Sequence, residues 1–132
     1  MSFCTVVNCM DGRVQLPVIR YLMDRFGVRY VDSVTEPGPV KDLSAYPGGA
    51  SSESVLRRVG VSHERHGSRL VAVVAHADCA GNPVGEKEQR AQLSASLDLI
   101  GRRFPDVSLL GLWLDEQWVV QETELREPTA GR

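Results

Sequence analysis

Six consecutive residues, Leu70 to Ala75 (LVAVVA), are all apolar, and three of them are β-branched valines. A run this short, with no polar alternation, predicts a strand buried on both faces, and such strands belong at the centre of parallel sheets. A parallel sheet needs crossover connections, so helices must separate its strands. The rest of the chain supplies them in order. Phe3 to Cys9 (FCTVVNC) has the same β-branched, two-sided apolar character and is broken by Asp11-Gly12. From Val14 to Phe26, Leu16, Ile19, Leu22, Met23 and Phe26 recur at helical spacing, and Gly27 closes the helix. Val28 to Val34 reads as the second strand. Glu36 to Gly49 (EPGPVKDLSAYPGG), rich in proline and glycine, reads as a long loop.

Ser51-Ser52-Glu53 can open a further helix, which carries Val55, Leu56 and Val59 and ends near Gly67. After the central strand, an amphipathic helix runs from about Gly85 to Phe104, with Leu93, Leu97, Ile100 and Phe104 on one face. Pro105 ends it, Val107 to Leu114 forms a fourth strand, and Trp118-Val119-Val120 can add an edge strand. The expected fold is therefore α/β: a mostly parallel central sheet of about four to five strands, flanked by helices on both faces. Residues 1–132 are expected to form a single domain whose last few residues fray. Ligands of such sheets sit beyond the carboxyl ends of the strands, where the strand order reverses.

Charge and composition narrow the partners. A formal net charge of −2 gives no general attraction to nucleic acid or anionic membranes. The pairs Arg57-Arg58 and Arg102-Arg103 read as solvated helix faces or local ion-pair partners. No apolar run approaches the ~20 residues of a membrane span, and no leader pattern precedes the first strand. A cytoplasmic protein is expected. Three cysteines, an odd number, suit reduced thiols better than a disulfide framework.

Two short motifs fall at carboxyl ends of expected strands: Cys9-Met-Asp11-Gly-Arg13 and His76-Ala-Asp-Cys79. Two thiolates and an imidazole suit a borderline-soft cation such as Zn2+. Three protein ligands leave a fourth position open, as in catalytic zinc sites. Each cysteine taken alone would more simply be core, and Cys4 is read that way. His63 and His66 are read as exposed histidines. Asp11 alone would be a turn residue before glycine. Asp78 can orient His76 or cap the following turn.

VNCMDGRV and AHADCAG resemble the two signature motifs of the β-class carbonic anhydrases, a C-x-D-x-R and H-x-x-C pair, and looser similarity runs from about residue 3 to 122. The resemblance implies Zn2+ held by Cys9, His76 and Cys79, and reversible hydration of carbon dioxide to bicarbonate by a zinc-held hydroxide. A similar small electrophile is an alternative substrate. It further implies that Asp11 orients the nucleophile while Arg13 holds Asp11, that a second state places Asp11 on the metal, and that the protein is a homodimer or higher homo-oligomer. The chain departs from the family at the R-N-A-G-N-like segment, where Thr35-Glu-Pro-Gly38-Pro stands, with Glu36 near the site. The family's N-terminal arm has no counterpart before Phe3. Gln15 is a candidate polar neighbour. Two other readings stay open: a non-catalytic zinc module in which Asp11 closes the metal site, and a dithiol sensor using Cys9 and Cys79.

Overall fold

The structure, a computed structural model, describes residues 1–130. Five strands form one sheet in the order β2-β1-β3-β4-β5: β1 Phe3–Cys9, β2 Tyr30–Glu36, β3 Leu70–His76, β4 Ser108–Leu114 and β5 Val120–Arg126. The first four run parallel, and β5 is antiparallel to β4. The helices are α1 Gln15–Phe26, preceded by a 3-10 turn at Gly12–Val14, α2 Pro39–Ala45, α3 Ala50–His66 and α4 Glu86–Arg103.

The LVAVVA run is the central strand, and every residue of β3 is buried. Its neighbours pack in two layers. On one face Val7, Val71, Val73 and Leu109 meet Val40 and Leu43 of α2, Val55, Leu56 and Val59 of α3, and Leu93, Leu97 and Ile100 of α4. On the other face Cys4, Val6, Ala72, Val74, Leu110 and Leu112 meet Val14, Val18 and Leu22. Cys4 is core, as its sequence context suggests.

Several local expectations are corrected. The buried stripe running from the 3-10 turn into α1 is Val14, Val18 and Leu22, at i, i+4 and i+8, whereas Leu16 and Met23 are exposed. The helix turns its valines inward because they lie directly over the second packing layer, a choice periodicity alone left open. The second strand runs two residues later than expected, because β2 pairs with β1 from Phe3↔Tyr30 to Cys9↔Glu36. The long loop contains α2, which Pro39 opens at a position where a helix has no need of its N–H. Finally, the edge strand begins at Val120 and extends to Arg126. Trp118 and Val119 belong to the turn that precedes it.

Ser51, Ser52 and Glu53 do not cap α3, whose N-cap is Gly49. Ser52 Oγ instead donates to the carbonyls of Asp42 and Tyr46 and ties α3 to the end of α2. Arg58 and Arg103 are local ion-pair partners, of Glu36 at 3.5 Å and Glu53 at 2.8 Å. His63 is half-buried rather than exposed, bonded to the Ser68 carbonyl and to Asp106. His66 is exposed; it stacks on Phe3 and bonds Asp32. The backbone N–H of Ala130 donates to Pro105 O. The expectation that the last few residues fray concerns Gly131 and Arg132 as well, and these two lie outside the described residues.

Candidate metal centre

In this strand order the chain leaves β1 towards β2 on one side and returns through β3 on the other. The carboxyl ends of β1 and β3 therefore flank the point where the order reverses. β1 ends on Cys9 and β3 ends on His76, and the two strands are paired through Thr5↔Val71, Val6↔Ala72 and Val7↔Val73. Past His76 the chain reverses sharply. Asp78 adopts a left-handed conformation, φ 54°, which aspartate tolerates better than most residues. That reversal brings Cys79 back beneath Cys9, and their sulfurs lie 3.9 Å apart.

One ligand atom from each of Cys9, His76 and Cys79 falls within 4.8 Å of the others, and the three residues are 4%, 1% and 4% exposed. The His76 ring is fixed by Nδ1, 2.7 Å from the Ala77 carbonyl oxygen. With the ring neutral, Nδ1 carries the proton and Nε2 presents its lone pair. Nε2 is fully buried and has no hydrogen-bond partner among the described residues. A buried acceptor without a partner is costly in a folded protein, and here it faces two thiols. Two sulfurs at about 2.3 Å from a tetrahedral Zn2+ lie about 3.8 Å apart, close to the separation observed. The donor set, its spacing and the orphaned nitrogen all fit a zinc ion. The group could hold a metal.

The electrostatics set the thiols apart. Burial pushes the Cys9 thiol up, but the adjacent His76 imidazole and the Gly38 and Asp11 backbone N–H groups outweigh it, leaving the group at about 7. Gly38 N lies 3.5 Å from Cys9 Sγ. Cys79 is raised to about 11, first by burial and then by its neighbour Cys9. Cys4 is raised to about 12, first by burial and then by the charge of Asp32, and stands apart from the cluster.

Asp11 does not join the cluster. Its Oδ1 accepts from the backbone N–H of Arg13 at 2.9 Å and from Arg13 Nε at 3.1 Å, and its Oδ2 from Nη2 at 2.7 Å. Arg13 holds its carboxyl down to about 2. The same guanidinium reaches the second motif, with Nη1 3.1 Å from Asp78 Oδ2 and Nη2 3.1 Å from the Asp78 carbonyl. Asp78 thus serves Arg13, not His76. The Glu36 side chain is engaged by Arg58 and Ser51 on the α3 side, so its charge is matched there.

Several positioning residues were not singled out in the sequence. Gln89 in α4 is buried and donates to the His76 carbonyl at 2.8 Å. It sits in a polar helical turn that reads as surface. Asn8 accepts from the Cys9 N–H and donates to the Val14 carbonyl, fixing the bend after β1. Gln15, a candidate neighbour from the sequence, donates to the carbonyls of Cys9 and Asp11. Trp118 lies over Arg13, with Arg13 Cζ 4.4 Å from the ring centroid, and its ring centroid is 6.2 Å from that of His76.

A parallel sheet with two thiols and an imidazole gathered at its switch point defines a class, the α/β proteins with a β-carbonic anhydrase fold. Solved structures show the same architecture. A β-carbonic anhydrase from the filamentous ascomycete Sordaria macrospora, described as tetrameric, superposes with a TM-score of 0.60 at 11% identity, over 93% of this chain and 81% of that one. CafA, the β-carbonic anhydrase of Aspergillus fumigatus, gives 0.52 at 13% over 99% and 77%. The β-carbonic anhydrase CcaA gives 0.58 at 13% over 94% and 81%. No curated protein matches the chain in sequence. Residues 1–124 match a family model described as "Putative carbonic anhydrase", and the chain belongs to that family.

Proposed function

We propose that this protein binds one Zn2+ through Cys9, His76 and Cys79 and catalyses the reversible hydration of carbon dioxide to bicarbonate, or hydrolysis of a similarly small electrophile. The observation that carries the proposal is the buried, unpartnered Nε2 of His76 facing two thiols 3.9 Å apart. Membership of the family and the fold of the solved β-carbonic anhydrases support it.

A zinc ion held by three such ligands supplies Lewis acidity at an open fourth position, which makes water nucleophilic near neutral pH. The chain's own residues do the rest. The Ala77 carbonyl fixes the His76 tautomer, and Gln89 holds the backbone at His76 from behind. Asp11, locked onto Arg13, stays ionised and accepts a hydrogen bond at a carboxylate oxygen. A carboxyl at about 2 is a weak base, so Asp11 orients a hydrogen-bond donor rather than carrying its proton away. Arg13 spans both motifs and keeps Asp11 off the metal position. Assembly as a homodimer or higher homo-oligomer and a cytoplasmic location belong to the same proposal. No described helix is long and apolar enough to cross a membrane.

A second reading has its own support. The three ligands are at most 4% exposed, as in a closed site where the metal only stabilises the fold and Asp11 completes the coordination. Stopped-flow carbon dioxide hydration on protein of known zinc content, with Cys9→Ser as control, separates the two. Fast hydration lost in the variant supports the enzyme. Full zinc occupancy with no rate above buffer removes hydration and leaves the structural site.

A further inference from the structure

The ligands are buried, yet hydration requires a small molecule to reach them, so some wall of the site must yield. One flank cannot. The loop after β2 packs backbone to backbone on the turn that carries Cys79: a Cβ at Gly38 would lie 2.7 Å from Asn82 Cβ, and one at Gly81 would lie 2.6 Å from the Pro37 carbonyl carbon. The contacts are with backbone and with Cβ atoms of Asn82 and Pro37, which cannot swing aside as the end of a flexible side chain does.

The opposite flank is built of side chains. Arg13 lies between Asp11 and Asp78, and the indole of Trp118 covers its guanidinium at 4.4 Å while standing 6.2 Å from the His76 ring. Trp118 also packs against the apolar cluster that contains Cys9 and Cys79. Its backbone is left-handed, φ 62°, a conformation that a bulky residue adopts only when its surroundings impose it. The imposing element is the short turn between β4 and β5. Asp115 Oδ1 accepts from the N–H groups of Gln117 and Val119, and the Asp115 carbonyl accepts from Trp118 N. Glu116, Gln117 and Val119 around it are exposed, so opening this turn lifts Trp118 off its packing against that cluster and otherwise moves only exposed residues.

We propose that Trp118 is the gate of this site: its indole closes the approach beside Arg13 and His76, and its bulk decides which molecules reach the space between Cys9, His76 and Cys79. The gate admits small linear electrophiles and holds back branched or aromatic ones. Because it rests on Arg13, the indole also keeps that guanidinium seated on Asp11, a positioning role. The proposal rests on the reading of the three residues as the reactive centre.

The test uses metal-free full-length protein, so that zinc activity is not the only readout. Alkylation of Cys9 and Cys79 is followed by mass spectrometry with a small probe, iodoacetamide, and a bulky one, pyrene maleimide; Cys4 reports on folding. Wild type is expected to react slowly and to discriminate strongly between the probes. Trp118→Ala should accelerate both reactions by about tenfold or more, the bulky probe most, with Cys4 still protected. Trp118→Phe should fall between. Unchanged rates and unchanged discrimination in Trp118→Ala overturn the gate. If that variant exposes Cys4 it has unfolded, and Trp118→Leu decides by the same two criteria. Zinc uptake of wild type, measured separately, tests the metal reading. Gate behaviour without zinc uptake would remove the metal and leave the gate.

Discussion

The guanidinium of Arg13 grips the carboxylate of Asp11 at two points, Nη2 to Oδ2 at 2.7 Å and Nε to Oδ1 at 3.1 Å. Two parallel contacts fix the plane of the carboxylate as well as its position, which a single ammonium could not do. The pair is partly solvated, with Arg13 45% exposed, so its worth lies in orientation rather than in stability. The acidic partner sits two residues beyond Cys9, and the basic partner ties that loop to Asp78 in the second motif.

Asp11→Asn and Arg13→Gln should therefore retain zinc and lose turnover by roughly two orders of magnitude. Arg13→Lys should recover little, because an ammonium cannot reproduce the paired contact. Metal analysis and stopped-flow hydration on the same preparations check this. Loss of zinc in either variant would instead place the pair in the metal shell.

Cys9→Ser, His76→Ala and Cys79→Ser should each abolish stoichiometric zinc binding, whereas Cys4→Ala should leave it intact. Cys4 belongs to the packing layer under α1, and its truncation removes only one buried sulfur. Dialysis against a metal buffer followed by elemental analysis distinguishes the four variants.

Zinc affinity should rise with pH, because both thiols must lose their protons to bind. Cys9 sits at about 7 and Cys79 at about 11. Below about pH 7 binding displaces both thiol protons, so the logarithm of the affinity should climb by about 2 per pH unit. Above that, only Cys79 still releases one, and the slope should fall towards about 1. His76 is moved up from its ordinary value: burial lowers it, but Cys9 and the Ala77 carbonyl more than compensate. It adds a further proton at the acid end. Competition titrations with a chelator of known pH dependence give these slopes, and a flat profile would exclude thiol ligation.

Gly38→Ala should destabilise the fold by about 1–3 kcal/mol, because the position combines a left-handed backbone with a close approach. Its φ is 57°, and the added Cβ would meet Asn82 Cβ at 2.7 Å. Gly12→Ala, with nothing within 4 Å, should stay within about 0.5 kcal/mol of wild type. Urea midpoints at constant slope measure both.

Most of the fold is legible in the sequence. β1, β3 and β4, and the helices α3 and α4, lie where their β-branched runs and helical periodicities put them, because buried central elements tolerate few other residue types. The misreadings cluster where sequence constrains least. The Pro- and Gly-rich segment after β2 hid a two-turn helix, since the signals that open a short helix also mark loops. The face of α1 was misassigned because Leu16, Met23 and the valines all fit a helical repeat, and only the sheet beneath chooses among them. The turn before β5 was mistaken for strand because Trp118 and Val119 carry strand-like side chains.

What the sequence determined by itself is the order of the strands and the longer helices and the two motifs at the strands' carboxyl ends. Both follow from local chemistry: periodicity, β-branching and the residue types that a soft cation needs. Tertiary structure alone decided the rest. Parallel pairing of β1 with β3 brings Cys9 within reach of His76 from 67 residues away in the chain. The turn at Asp78 returns Cys79 to within 3.9 Å of Cys9. Arg13 gathers acidic groups from both motifs, and the β4–β5 turn lays Trp118 across it. These contacts join residues distant in sequence, and their geometry is set by sheet register and packing, which no local pattern encodes.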